Sequence, residues 1–222
     1  TIRNTSERQF SQEFETFFLG SSNTLISGKK LQEITYKNPE TEHDNVKIYE
    51  APVKEDGENI LKDHMYFVTV DISEGKGLDC SAFVITDISQ TPYKQVATYR
   101  NNQLHPMLFP DIIKMAAEFY NNAYVLIEIN NNPTVADTLY QDLEYENVLK
   151  VFAGNKKAQQ ISESGKATQN GVNMSPLVKR VGCTTLKTLI ETDKLRLNSD
   201  DTIYELTRFI ATNRSEERRV GK

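Results

Sequence analysis

Two acidic side chains close apolar runs. Asp71 follows Tyr66-Phe67-Val68-Thr69-Val70, and Glu128 follows Tyr124-Val125-Leu126-Ile127. Runs of this kind read as buried strands. If the two strands are parallel neighbours, both acids stand at the same carboxyl edge, where ligands of open α/β sheets gather. Two like charges that close resist ionising together unless they share a proton or a cation. Hard oxygen donors favour Mg²⁺ or Mn²⁺. A site of this type can hold two such ions roughly 3.5–4 Å apart and cut a phosphodiester by in-line attack of water. The plainer reading is that each acid caps its strand through backbone N–H groups; for two acids on adjacent strands, the metal reading is the stronger one.

The loop after the first acid, Ile72-Ser73-Glu74-Gly75-Lys76-Gly77-Leu78-Asp79, offers Glu74 and Asp79 as further metal ligands or orienting groups, and glycines that allow close approach. A solvated charged turn is the alternative. Lys156, Lys157 and Lys166, in a basic stretch expected to be mobile, and Lys179 and Arg180 beyond it could contact DNA phosphates; a solvated surface accounts for them equally well. His105 reads as a surface histidine before a helix rather than a metal ligand or base. Gly28-Lys29-Lys30 is not a phosphate-binding loop, so ATP hydrolysis is not expected.

The elements that would position these residues follow from pattern. Strands are expected over 65–70, 81–87 and 93–100, joined by short connections as an antiparallel meander. A helix over 108–120 leads to a fourth strand at 124–129. A helix over 134–143 leads to a fifth strand at 148–152. Beyond the basic stretch come a helix over 175–191 with Ser175 as cap and Pro176 at its first position, a short strand at 195–197, and a helix over 201–210. The right-handed crossover rule puts the fourth strand beside the first. The result is an α/β domain with a mixed five-stranded sheet and helices on both faces, the ribonuclease H-like order. Residues 36–64 read as a linker with an extended piece at 46–49. Residues 6–14 read as a short amphipathic helix.

Charge and composition narrow the function classes. The 222 residues carry net charge −5, against a protein that binds nucleic acid by overall charge. Ten Phe and ten Tyr supply bulky core groups where Trp is absent. No apolar run is long enough to cross a membrane. Two distant cysteines read as free thiols of a reducing compartment.

Five stretches, in order, resemble the nuclease domain of large terminase subunits from tailed, T-even-like phages. They are Val68 through Asp79; Tyr124-Val125-Leu126-Ile127-Glu128-Ile129-Asn130; Asp142-Leu143-Glu144-Tyr145-Glu146; Val181-Gly182-Cys183-Thr184-Thr185-Leu186-Lys187; and Leu189-Ile190-Glu191-Thr192-Asp193-Lys194-Leu195. Residues 1–35 resemble the end of the ATPase motor that precedes this nuclease. The resemblance implies residues 65–212 as a ribonuclease H-like nuclease that cuts concatemeric double-stranded DNA during packaging. It also implies Asp71 and Glu128 as two of three catalytic metal-binding acids. The implied partners are double-stranded DNA, the portal and prohead, the small terminase subunit and the ATPase domain, in the host-cell cytoplasm.

The sequence departs from that pattern in one respect that matters. No Asp-Asp-Leu-Val-type segment supplies the third acid, so impaired cutting and weaker metal binding are expected of a domain truncated at this point. Asp200 and Asp201 read instead as favourable charges at a helix start. Residues 213–222 read as a non-native tail. Two rivals stand beside this reading: another ribonuclease H-like enzyme such as a resolvase, and a non-catalytic DNA-clamping or capsid-docking module.

Overall fold

A computed structural model describes residues 24–55, 57, 61–73, 77, 79–130, 132–152 and 168–210, with backbone alone at 152 and 168. Through these residues the chain runs α1 (Gly28–Glu33), β1 (Thr41–His43), β2 (Val46–Ile48), β3 (Tyr66–Asp71), β4 (Ser81–Asp87), β5 (Tyr93–Asn101), α2 (Phe109–Phe119) and β6 (Tyr124–Ile127). It continues through α3 (Thr134–Asp137), which passes into a π-helical turn at Thr138–Asp142, then β7 (Lys150–Phe152), β8 (Thr168–Asn170), α4 (Pro176–Glu191), β9 (Leu195–Arg196) and α5 (Asp200–Arg208). The main sheet has the order β1-β2-β5-β4-β3-β6, and β9 pairs with the start of β5. The meander β3-β4-β5 is antiparallel, and β6 lies parallel beside β3, as the sequence leads one to expect.

Side-chain alternation decides which face holds the main core. Tyr66, Val68 and Val70 of β3 are buried, while Thr69 between them and Asp71 at the strand end are exposed. Phe83 and Ile85 of β4 and Ala97 and Tyr99 of β5 join the buried set. Phe109, Ile113 and Ala117 recur every four residues on one face of α2 and complete this layer. The rings of Phe83, Tyr99 and Phe109 stack at centroid distances of 5.0, 5.5 and 6.3 Å. Two asparagines, Asn121 and Asn122, take left-handed backbone (φ 56° and 53°) after α2 and turn the chain into β6.

A second apolar cluster unites Ile26 and Leu31 with Ile190, Leu197, Ile203 and Leu206. It joins α1, α4, the β9 segment and α5. The helix α5 is tied to β5 by a buried amide: Gln95 Oε1 accepts from the backbone N–H of Asn198 (3.0 Å) and Ser199 (2.8 Å), and its Nε2 donates to Thr202 Oγ1 (2.9 Å). Ser199 caps the helix by accepting from Thr202 N–H.

Three expectations are corrected. The sheet has seven strands rather than five: the extended piece expected at 46–49 is β2, which pairs with β5 and forms a hairpin with β1, and β9 adds a strand beside β5, while the expected fifth strand is not among them. The hairpin's two-residue turn, Asp44-Asn45, has positive φ at both positions, the geometry that matches strand twist. The expected fifth strand joins the main sheet only at Val148, which bridges Val125; residues 150–152 pair instead with 168–170 in a separate two-stranded sheet. The edge of β6 is taken over by Val172, which bridges Glu128 and exchanges backbone hydrogen bonds with Ile127 and Ile129. Finally, residues 134–143 are α-helical only to Asp137, then π-helical. The expected helix at 6–14 lies outside the described residues.

Gly171 marks the point where the chain turns in beside β6. Its φ is +83°, and a Cβ there would stand 2.6 Å from both Ile127 O and Ile129 Cγ2. Gly171→Ala is therefore expected to destabilise the fold by about 1–3 kcal/mol through backbone strain and displacement of the edge segment. Urea unfolding of the variant checks this; an unchanged midpoint would mean that the segment is not pinned against β6.

Candidate active site

Register brings the two acids together. The last parallel pair of β3 and β6 is Val70 with Ile127, and the Glu128 N–H donates to Val70 O at 2.9 Å. Asp71 and Glu128 are the next residue on each strand. Adjacent strands lie about 4.8 Å apart, and side chains at matched positions share a face. Both acids therefore project from the carboxyl edge on the face opposite the α2 layer.

Electrostatics reports the same proximity. The Glu128 carboxyl is held above the usual carboxylate range, first by partial burial and then by the negative charge of Asp71, with Lys179 pulling the other way. Lys179 reaches this position because α4 starts at the same edge. The Asn130 side chain accepts from Met174 N–H and donates to Met174 O, and Ser175 then caps α4 by accepting from Val178 N–H. Lys179 and Arg180 are exposed on the turns that follow.

Beside Asp71 opens a cleft of about 650 Å³ lined by Asp71, Asp79, Ala82, Arg100, Asp201 and Glu205 among others. Its floor is set by strand pairing: Asp71 faces Ala82 on β4, and Ala82 faces Arg100 on β5. Arg100 Nη1 pairs with Glu205 at 3.2 Å, and its Nε donates to Cys80 Sγ at 3.2 Å. Asp201 pairs with Lys47 at 2.8 Å. Asp200 and Asp201 occupy the first turn of α5, as their helix-start reading requires.

The expected site residues divide as follows. Asp71 and Glu128 are brought to one edge. Asp79 is exposed and lines the cleft, but among the described residues no group of three or more His, Cys, Asp or Glu is gathered in a metal-holding arrangement. Glu74, Lys156, Lys157 and Lys166 lie outside the described residues. His105 caps the turn before α2, its Nδ1 accepting from Met107 N–H. Arg100 and Asn130 were missed from sequence. Strand alternation could have flagged Arg100, since it is the polar member beside the buried Tyr99. Nothing local marks Asn130, whose partner is 44 residues away.

The donor chemistry fits a hard divalent cation. Two carboxylates of like charge face one edge, and one already shows the raised proton affinity that an opposite charge would relieve.

Residues 68–218 match the family model of the terminase RNaseH-like domain. The chain belongs to that family. Among solved structures, it is similar to the large terminase nuclease of thermophilic phage G20c with bound magnesium, at 20% identity and TM-score 0.59, over 88% of this chain and 85% of that one. The cobalt-bound structure of the same nuclease gives 19% identity and TM-score 0.59 over the same shares. The large terminase nuclease domain of Thermus phage P74-26 matches at 19% identity and TM-score 0.54, over 84% and 77% of the two chains. The shared architecture is the ribonuclease H-like mixed sheet flanked by helices. Bound divalent metals thus occur in nucleases of this fold.

The raised Glu128 carboxyl has a consequence for stability. The folded chain holds this proton more tightly than the unfolded chain, so stability falls as pH rises from the unfolded value, about 4.3, through the folded one. Without metal, Glu128→Gln should therefore melt slightly higher than the parent at pH 7, and the gap should close below about pH 4. Thermal melts in chelator across that range read it. A variant that melts lower at pH 7 would show that the carboxylate is stabilised where it stands.

Proposed function

We propose that this chain is the metal-dependent endonuclease domain of a viral DNA-packaging terminase, cutting concatemeric double-stranded DNA by phosphodiester hydrolysis. The observation that carries the reading is the in-register ending of β3 and β6 in Asp71 and Glu128. Family membership supports it. The two acids hold Mg²⁺ or Mn²⁺, with Glu74 and Asp79 as outer contributors. The metal, when bound, neutralises the acid pair and supplies an acidified water for attack on phosphorus. The protein's own part is positional. The sheet fixes the two carboxylates, Asn130 anchors the start of α4, and Lys179 and Arg180 offer positive charge to phosphate beside the acids. In this reading Lys156, Lys157 and Lys166 also contact DNA phosphates. The partners in this reading are double-stranded DNA, the portal and prohead, the small terminase subunit and the ATPase domain, and the setting is the host-cell cytoplasm.

Plasmid nicking and linearisation with Mg²⁺ or Mn²⁺ tests the reading. Asp71→Asn or Glu128→Gln should lower cutting more than about a hundredfold, beyond the tenfold to hundredfold loss typical of residues that merely support a ligand. The circular dichroism spectra should not change. Cutting that survives both substitutions would place the chemistry elsewhere. A chain that binds no Mn²⁺ with both acids intact would favour a DNA-clamping or docking module.

The DNA path has its own readout. Changing Lys156 and Lys157 together to Ala should weaken binding to all sequences alike and flatten its dependence on salt. An unchanged salt slope would return these lysines to the solvated surface.

A further inference from the structure

The cleft beside Asp71 carries acids on several sides. Asp71, Asp79, Asp201 and Glu205 line it, and among the described lining residues Arg100 is the one Lys or Arg. A polyanion could not enter such a cleft without a cation inside it. Arg100 is placed for that task by strand register. It shares a row with Asp71 across Ala82, two strand spacings or about 10 Å away, and the methyl group of Ala82 leaves the floor between them open. Its side chain is a little over half exposed, so it is available from solvent. One of its partners is a carboxylate: Glu205 of α5, itself exposed, at 3.2 Å. The other, Cys80 Sγ on Nε, orients the planar group and leaves its two terminal nitrogens, one of them held by Glu205, to meet an oxyanion.

Carboxylate and phosphate oxygens offer a guanidinium the same geometry. We propose that Arg100 grips a phosphate of the DNA strand next to the one at Asp71, and that Glu205 is its built-in competitor, occupying the guanidinium until DNA displaces it. This rests on the nuclease reading and adds to it a residue that positions substrate. The helix α5 is held in place by Gln95 and Ser199 rather than by the Arg100–Glu205 pair. Exchange of one partner for the other therefore does not require the helix to leave.

The pair makes opposite predictions for its two members. Binding of a fluorescent duplex is measured by anisotropy over a range of salt, in chelator, together with nicking in Mn²⁺. Arg100→Ala should weaken binding by about tenfold, the loss of one charged hydrogen-bonded contact. It should also reduce the slope of log K against log salt by about 1. Arg100→Lys should recover the salt slope but only part of the affinity, because an ammonium lacks the planar fork. Glu205→Gln should tighten binding, and that gain should vanish in the Arg100→Ala background. Glu118→Gln, an equally simple charge removal on the outer face of α2, should not produce the gain. A purely structural role for Arg100 would instead lower the melting temperature and leave the salt slope alone, overturning the proposal. So would a Glu205→Gln gain that persists without Arg100, since that gain would be a general field effect. Parent protein that binds and cuts DNA while Arg100 variants behave like it refutes this inference alone. Parent protein that neither binds nor cuts refutes the nuclease reading as well.

Discussion

Parallel pairing of β3 with β6 is the constraint from which the rest follows. Val68 and Val70 on one strand and Val125 and Ile127 on the other are almost wholly removed from water, and each helps to bury the next. Because side chains alternate with a period of two, burying these residues fixes the register, and a slip of one residue would expose all of them. The same register leaves the following residues, Asp71 and Glu128, side by side at the edge. The hydrophobic core thus enforces an arrangement that electrostatics alone would disperse. Burial first, and then the charge of Asp71, raises the proton affinity of Glu128 in that arrangement.

Around this pair the fold supplies its supports from distant parts of the chain. The edge of β6 is covered first by Val148 and then by Val172. The second of these delivers the chain to Asn130 and so to the start of α4, which carries Lys179 to Glu128. On the other side, α5 is seated on β5 through Gln95, Asn198 and Ser199, and its acids close one wall of the cleft. A buried amide whose oxygen and nitrogen both find partners suits this purpose, since an unpartnered one would cost stability. The 24–34 segment adds a last brace: Ser27 donates to the Glu191 carboxylate through both its N–H and its hydroxyl, and Leu25 N–H donates to Phe209 O.

Membership of the terminase RNaseH-like family and the likeness to phage terminase nucleases agree with this architecture. They fix the fold and the coarse class of activity. The geometry adds a row across the sheet, with Asp71 at one end, Arg100 at the other and the small Ala82 between them.

Much of this architecture is legible in the order of the amino acids. The apolar runs ending in Asp71 and Glu128, the short links of the meander and the Ser175-Pro176 helix start are local signals, and each rests on neighbouring residues. The hairpin at 41–48 is legible in that way only in its second strand, the extended piece at 46–49. Its apolar content is small, its turn is Asp-Asn rather than a glycine turn, and its stability comes from pairing with β5, about fifty residues away. The same holds for the edge of β6, where Val148 and Val172 share one strand's exposed backbone groups. It holds as well for Arg100, whose meaning depends on Ala82 and Asp71 lying in one row. Periodicity and hydrophobicity act at short range, so the chain's own order sets which strand residues are buried and which acids end the strands. Which strands adjoin and which charges meet is settled in three dimensions, because backbone hydrogen bonds between strands and charge contacts across a cleft join positions that the chain keeps far apart.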